Sequence, residues 1–478
     1  MNVAVFGAGY VGLVTGAVLA EVGHRVALVD TDPEKVSRIA AGHSPIYEPG
    51  LESMLQRGLA GQRLWATLWP AAALLAAEVV FIAVGTPPSA GGAPDLTAVR
   101  AVARALGTHL SPEHPMVIVN KATVPIGTFR TVAEWINEAY YERHHQLPPT
   151  GVFAVVSNPE FLREGQAVAD SLYPDRIVLG SGDGWAVERM LALYEPLIHR
   201  TFSPPAGLLA ATPGATVPVR VVNPLSSELI KYAANAFLSV KISFANEIAQ
   251  ICERVGADVR EVMPAMGLDP RIGGRFLEAG IGWGGSCFGK DLNALIATAR
   301  GQGYAPAILE AAREVNARQR HLAAEWLSAQ LGSLAGRRVA VWGLAFKPGT
   351  DDVRDAPALA IVRDLLRLGA EVVGYDPVAM PALRRAWPDL PIRYAPAALA
   401  ALDGADALVI ATEWPEFSTA LLAQGVARMA QPVVFDGRNA VNPQAQGLQG
   451  AVYRGIGRAA PARPSCQWAP EWAEEATL

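Results

Sequence analysis

Cysteine is nearly absent: 478 residues hold three, Cys252, Cys287 and Cys466. That odd, low count excludes a disulfide framework and predicts reduced thiols in a cytoplasmic setting. Charge is also sparse, at 18% of residues, with 40 Lys and Arg against 45 Asp and Glu. A net charge of −5 removes the electrostatic case for nucleic acid as a partner. No apolar run reaches the roughly 20 residues of a membrane span. The longest, residues 71–85, is interrupted by Glu78, so no membrane partner is expected. Met1 leads almost directly into a strand-like run with no basic segment and no cleavage site, so no signal peptide is predicted. No metal site is predicted either.

What is present is a long, apolar chain. Hydrophobic residues make up 51%, which rules against intrinsic disorder. At about 150 residues per domain the length predicts roughly three domains, each able to bury a core. Short apolar runs alternate with helix-length segments at both ends. NVAVF (2–6), RVALVD (25–30), EVVFIAV (78–84), MVIVN (116–120) and VFAVVS (152–157) read as buried strands, with RIVLG (176–180) as a further one. Such alternation predicts a doubly wound parallel sheet with helices on both faces. The Pro-, Ala- and Gly-rich stretch from about His199 to Pro224 reads as a connector. Residues 226–257, with Ser at the start and Gly256 near the end, predict one long central helix. From about Gly336 the runs RRVAVWG, EVVGYD, ALVIATEW and VVFDGRN predict a second α/β unit. The tail beyond Gly457 shows no clear pattern; disorder and a turn docked by Trp468 and Trp472 both remain open.

Gly7-Ala8-Gly9-Tyr10-Val11-Gly12 follows the first strand and opens the first helix. Gly7 permits a tight turn, Gly9 lets backbone approach a pyrophosphate, and Gly12 allows close packing of helix on strand. Asp30 ends the second strand at the spacing a ribose contact requires. A carboxylate there accepts from a 2′-hydroxyl and repels a 2′-phosphate, so the predicted cofactor is NAD.

Gly282-Trp283-Gly284-Gly285-Ser286-Cys287-Phe288-Gly289-Lys290-Asp291 surrounds one thiol with four glycines. Asp291 shares a helical face with Cys287, and a helix N-terminus favours the thiolate. The residues alone leave open a covalent nucleophile and an inert buried cysteine. Cys252 and Cys466 lack such surroundings and read as structural. Lys231 and Asn235, one helical turn apart, are either an oxyanion-stabilising pair or a surface Lys beside a packing Asn. Glu160 and Glu164, in NPEFLREG, suit acid/base work or a sugar, but read from the residues alone they fit a solvated turn better.

GAGYVG, PIYEPGL, KATVP, NPEFLREG, ELIKYAANAFL, DPRIGGRFL, GWGGSCFGKD and GLAFKPGTDDVRD occur in this order. The series resembles the UDP-glucose 6-dehydrogenases of the UDP-glucose/GDP-mannose dehydrogenase family, from residue 1 to about 440. The resemblance implies two Rossmann-like doubly wound domains joined by a long central helix and a helical dimerisation region. It divides the chain into an NAD-binding domain (1–210), a central helical and dimerisation domain (211–330), a nucleotide-sugar-binding domain (331–457) and a tail (458–478). It implies oxidation of the sugar C6 alcohol to a carboxylate with two NAD and one water. Cys287 would hold the aldehyde as a thiohemiacetal and then as a thioester, since a covalent bond keeps it in place while NADH is exchanged.

By the same resemblance, Lys231 and Asn235 stabilise the C6 oxyanion, Asp291 and Thr123 order the base or hydrolytic water, and Glu160 serves thioester hydrolysis. Gly7, Gly9, Tyr10, Val11 and Gly12 hold the pyrophosphate, Asp30 and Lys35 the adenosine ribose. Thr86, Thr123 and Glu164 lie toward the nicotinamide, with Arg354 reaching over. Sugar-nucleotide contacts fall to Glu160, Phe161, Leu162, Lys231, Asn235, Arg271, Phe276, Gly284, Lys347 and Arg438. Arg271 is expected to serve a neighbouring subunit's site, which implies a homodimer built around the central helix.

Three positions depart from the family pattern: Ala122 in KATVP, Trp283, and Gly289. Trp283 is bulkier than the usual residue, stands near the expected sugar pocket, and so bears on sugar choice. The loops at 141–150 and 203–218 read as surface insertions. The competing readings are the same chemistry on GDP-mannose or a UDP-N-acetylhexosamine, a two-electron NAD dehydrogenase, and a non-catalytic NAD sensor. A single oxidation needs no covalent trap, so Cys287 argues against the second. The full set of site residues argues against the third.

Overall fold

The computed structural model describes residues 1–87, 94–203 and 216–458. Its chain divides into two compact units, and the division falls inside three helices, Pro224–Val255, Gly285–Gly301 and Ala307–Gln319. The first unit comprises residues 1–237, 287–307 and 349–351; the second comprises 238–286, 308–348 and 352 onward.

The first unit is built on an eight-stranded sheet of order β3-β2-β1-β4-β5-β6-β7-β8. The strands are β1 (Asn2–Phe6), β2 (Arg25–Val29), β3 (Leu64–Thr67), β4 (Val79–Ile82), β5 (Met116–Asn120), β6 (Phe153–Ser157), β7 (Ile177–Gly180) and β8 (Val219–Val222). All pairs are parallel except β6 with β7. Alternation along β1 explains the layering. Val3 and Val5 enter one core, while Ala4 and Phe6 enter the core on the opposite face. The order reverses between β1 and β4, and the glycine motif follows β1 directly, where open α/β sheets bind ligands.

The second unit carries a six-stranded, all-parallel sheet of order β11-β10-β9-β12-β13-β14. These are β9 (Arg338–Trp342), β10 (Glu371–Tyr375), β11 (Arg393–Tyr394), β12 (Ala407–Ile410), β13 (Val433–Asp436) and β14 (Val452–Gly455). Val339 and Val341 of β9 face one core, Ala340 and Trp342 the other. Trp342 is fully buried, and its indole N–H donates to the Ala398 carbonyl at 2.9 Å.

The predicted central helix forms over Pro224–Val255, 32 residues, and Gly256 follows it with φ +84°. Two expectations need correction. The connector from 199 to 224 contains β8, which the Pro-rich context concealed. The insertion at 141–150 is not all loop, because the helix Thr128–His144 continues through its first residues. Most of the 203–218 insertion, and the tail with Cys466, Trp468 and Trp472, lie outside the described residues. Among the described residues no helix is long and apolar enough to cross a membrane.

Candidate active site

In the first unit the glycine motif closes as its sequence requires. Gly7 takes φ +97°. A Cβ on Gly12 would stand 1.9 Å from the Gly7 carbonyl oxygen, so the helix can seat here only with glycine. Gly9 is different: a Cβ there would meet nothing within 4 Å. Protein packing does not demand that glycine, whereas the close approach of a pyrophosphate does. The helix Tyr10–Glu21 has no side-chain cap and no acidic residue in its first turn, so its N-terminus suits an anion. The residues fit a dinucleotide.

Asp30 sits beside this turn. Its carboxylate accepts from the Ala8 N–H at 2.7 Å, the Asp32 N–H at 3.0 Å and Lys35 Nζ at 3.1 Å. Burial pushes the carboxyl up, but these donors outweigh it and hold it below the usual range. Lys35 is thus brought to Asp30. Thr86 and Thr123 also meet, the Thr86 hydroxyl donating to the Thr123 carbonyl at 2.8 Å.

The reactive groups come from three segments. Lys231 and Asn235 project from the helix Pro224–Val255, Cys287 and Asp291 from the helix Gly285–Gly301, and Glu160 from the loop after β6. Lys231 Nζ pairs with Glu160 Oε1 at 2.6 Å. Asn235 Nδ2 donates to Asp291 Oδ2 at 2.6 Å, and Lys290 Nζ to Asp291 Oδ1 at 2.6 Å. Burial pushes the Lys231 ammonium down, yet the charges of Glu160, Cys287 and Asp291 carry it above its ordinary value. Those interactions place the thiol, both carboxylates and the lysine in one cluster. The chain enters this helix at Gly285, so Cys287 stands in its first turn, where N–H groups favour a thiolate.

The solvated-turn reading of the two glutamates is overturned. Glu160 is 7% exposed and Glu164 8%. Their loop is folded inward, with the Leu162 N–H donating to Glu160 Oε2 at 2.9 Å. Phe161 lies under the Arg176 guanidinium at 3.8 Å and 5.7 Å from Lys231 Nζ. Lys231 is likewise no surface residue, at 4% exposed.

Three titratable groups in the same unit escaped sequence reasoning. Lys121 lies in the KATVP segment, donates to Asn158 Oδ1 at 3.1 Å, and is pushed down to about 8 by burial. Glu228 accepts from the N–H groups of Gly127 at 2.5 Å and Phe129 at 2.9 Å, and burial raises it to about 7. Both line a small cleft with Lys231, Thr123, Asn120 and Tyr232. Glu48, in PIYEPGL, is buried as well. The sequence signal for all three was their place inside recognisable motifs.

The remaining predicted residues belong to the second unit. Arg438 donates to the Ala411 carbonyl at 3.0 Å and the Gly282 carbonyl at 3.4 Å. A Cβ on Gly284 would stand 2.1 Å from the Asp355 carbonyl oxygen, so close packing accounts for that glycine. Arg271 pairs with Asp269 at 2.6 Å while its side chain stays 87% exposed. Arg354 pairs with Asp352 at 2.7 Å. Phe276 takes φ +64°. Lys347 lies 5.5 Å from the Phe346 ring. Trp283 does not behave as expected. Its side chain is 6% exposed, and the indole N–H donates to Ser243 Oγ at 2.9 Å. Its backbone N–H donates to Asn316 Oδ1 at 2.7 Å. The indole is engaged by a residue of its own unit. Cys252 is 3% exposed and buried in that unit's core, as expected of a structural cysteine.

Cradle and thiol cluster together define an NAD-dependent dehydrogenase. Comparison with known proteins narrows the class. Family models match along the chain: the NAD binding domain over residues 1–198, the central domain over 225–318 and the UDP binding domain over 340–443, all of the UDP-glucose/GDP-mannose dehydrogenase family. The chain is 44% identical over 459 residues to the UDP-glucose 6-dehydrogenase TuaD of Bacillus subtilis, covering 96% of this chain and 94% of that protein. A UDP-glucose dehydrogenase structure from Pyrobaculum islandicum aligns with a TM-score of 0.84 and 39% identity, over 96% of this chain and 98% of that one. The UDP-D-ManNAc dehydrogenase structure from Pyrococcus horikoshii aligns with 0.80 and 28% identity, over 96% and 99%. The chain belongs to the UDP-glucose/GDP-mannose dehydrogenase family, and NAD is its cofactor.

Proposed function

We propose that this chain oxidises the C6 alcohol of UDP-glucose to the carboxylate of UDP-glucuronate through a covalent adduct on Cys287. The observation that carries this reading is the convergence of Cys287 with the buried Lys231–Glu160 pair and the Asn235–Asp291 pair. NAD+ supplies the hydride acceptor at each of the two oxidations. Cys287 adds to C6 of the aldehyde, and the resulting thiohemiacetal becomes a thioester on losing a second hydride and a proton. Water then adds to C6, the thiolate leaves, and a proton is released. Lys231 and Asn235 hold the developing C6 oxyanion by a charge and an amide donor. Asp291 orients Asn235, and Thr123 and Asp291 order the water. Glu160 serves the hydrolysis, and Glu164 lies toward nicotinamide and sugar.

The cofactor contacts are those of Gly7 through Gly12, Asp30, Lys35, Thr86, Thr123, Glu164 and Arg354. Phe161, Leu162, Arg271, Phe276, Gly284, Lys347 and Arg438 take the nucleotide sugar. Residues 1–210, 211–330 and 331–457 act as cofactor, dimerisation and sugar-nucleotide segments of a cytoplasmic homodimer. An apolar stripe along the central helix supports the dimer: Phe237, Phe244, Ile251 and Val255 are 64%, 45%, 49% and 71% exposed on one face. The exposure of Arg271 supports its service to a partner's site.

The test is NADH formed per sugar consumed, with UDP-glucose, GDP-mannose and UDP-N-acetylmannosamine side by side. About two NADH per UDP-glucose, with little from the others, is the expected result. The same yield from another sugar keeps the chemistry and moves the substrate. One NADH per sugar overturns the covalent step.

A further inference from the structure

Glu48 is a buried carboxylate, 7% exposed, in a loop to which the oxidation assigns no task. Among the described residues no cation pairs with it. Its partners are a phenol and backbone. Glu48 Oε2 accepts from the Tyr10 hydroxyl and from the Gly165 N–H at 2.6 Å. Oε1 accepts from the Ala167 N–H at 2.7 Å and from the Val168 N–H at 3.4 Å. The Gly165 N–H also lies 2.9 Å from the Tyr10 oxygen. A carboxylate without a counter-ion is costly to bury, and an apolar side chain would fill such space at less cost. Fixing several amides at once is what the carboxylate adds.

The segments it joins are the ones the chemistry uses. Tyr10 is the first residue of the helix whose N-terminus suits the dinucleotide. Residues 165–168 immediately follow Glu164 and lie close after Glu160, which is paired to Lys231. We propose that Glu48 is a positioning residue: with Tyr10 it locks the loop bearing Glu160 and Glu164 to the first turn of the dinucleotide-binding helix. This rests on the proposed role of that loop in the oxidation. An error of about 1 Å in such a loop costs on the order of a hundredfold in rate, so the lock has a kinetic consequence beyond stability.

Two variants test it, Glu48→Gln and Tyr10→Phe, the second keeping the test open should the first fail to fold. Glu48→Gln replaces one acceptor oxygen by a donor that faces other donors. Its expected result is a fall in kcat of at least about tenfold, with the NAD+ dissociation constant changed by less than about threefold. Hydrogen exchange at residues 165–168 in NAD-free protein is expected to quicken by about tenfold, a readout independent of any turnover. Tyr10→Phe keeps the carboxylate on its amides and is expected to lose less. The titratable groups that face the pair are its own two members and Glu164, which acts on Tyr10. Burial raises Glu48, and the Tyr10 hydroxyl opposes that rise. Removing the hydroxyl therefore raises Glu48 further, so the part of the acid limb of the kcat profile that reports Glu48 moves to higher pH in Tyr10→Phe and is lost in Glu48→Gln. A kcat within about twofold of the parent in both variants, with the acid limb unmoved and only the melting temperature lowered, overturns the proposal and leaves Glu48 a fold staple. The parent enzyme's own NADH yield tests the oxidation separately.

Discussion

Lys231 Nζ lies 2.6 Å from Glu160 Oε1, and both side chains are almost wholly removed from water. The two come from a helix and a loop far apart in the chain, and each offsets the burial of the other's charge. Each ion alone would carry a desolvation penalty of several kcal/mol. The pair keeps Lys231 protonated, a donor for an oxyanion. A neutral lysine would instead act as a base.

Glu160→Gln is expected to weaken that choice. Burial already pushes Lys231 down, and Glu160 is the largest influence opposing it. With the carboxylate gone, the lysine titrates at lower pH and holds its charge less firmly, supported only by Cys287 and Asp291. Expected is a fall in kcat on the order of a hundredfold, with the alkaline limb of the kcat profile moved to lower pH. A variant with parent kcat and an unmoved alkaline limb would show that the pair is structural only.

Cys287→Ser is expected to bind NAD+ and UDP-glucose within about threefold of the parent and to lose complete turnover. A serine hydroxyl keeps the hydrogen-bonding size, but it ionises far less readily than a thiol. The check is steady-state release of UDP-glucuronate beside two binding isotherms. Sustained uronate production by the variant would remove the covalent step.

The sequence made the two sheets legible, because strands buried on both faces read as unbroken apolar runs; β1 and β9 are the clearest. It concealed β3, β8, β11 and β14. Each spans four residues or fewer at a sheet edge, with side chains only partly covered, so LWAT, VRVV, RY and VYRG carry no such run. Site residues were legible where a motif fixed the backbone, as at Gly12 and Asp30. Burial of charge was not. Glu160 and Glu164 read as solvated because the residues that enclose them lie on distant segments. Glu48 and Glu228 were missed for the same reason: a buried carboxylate is explained by amides more than a hundred residues away, which no local pattern contains. Lys121 was missed because its partner, the Asn158 side chain, stands on another segment 37 residues on. Trp283 was misplaced because bulk near a reactive loop predicts nothing about the direction in which the side chain turns.

Asp30→Ala is expected to raise the NAD+ dissociation constant between about tenfold and a hundredfold, the cost of a hydrogen bond to a charged group. The change also strands the Ala8 N–H and Lys35, which now share that carboxylate. Discrimination against NADP+ is expected to weaken as the repelling charge goes. Isotherms for both dinucleotides decide it, and an unchanged NAD+ constant would withdraw Asp30 from the ribose.

Trp283→Phe separates specificity from packing. The indole is buried, its N–H engaged by Ser243, whose hydroxyl in turn donates to the Ala312 carbonyl at 2.8 Å. Phenylalanine removes that donor and leaves a gap. Expected is a loss of stability of roughly 1–3 kcal/mol, with the ratio of kcat/KM for UDP-glucose to that for UDP-N-acetylmannosamine unchanged within about twofold. A shift in that ratio beyond about tenfold would return Trp283 to the sugar.

Glu228 gives the stability curve a recognisable slope. Its carboxyl rises from 4.5 to about 7 because burial outweighs the two amide donors. Between those values the folded chain holds a proton that the unfolded chain has released. The stabilisation is therefore complete below about pH 4.5 and is lost as pH climbs through about 7, by roughly 3 kcal/mol. Glu228→Gln is neutral throughout and lacks that slope. Urea unfolding of both proteins across this window is expected to show the parent losing stability relative to the variant as pH rises. A parent that gains instead would mean that the Gly127 and Phe129 amides hold the carboxylate ionised. The floor of the cleft beside Lys231 would then be negatively charged at neutral pH.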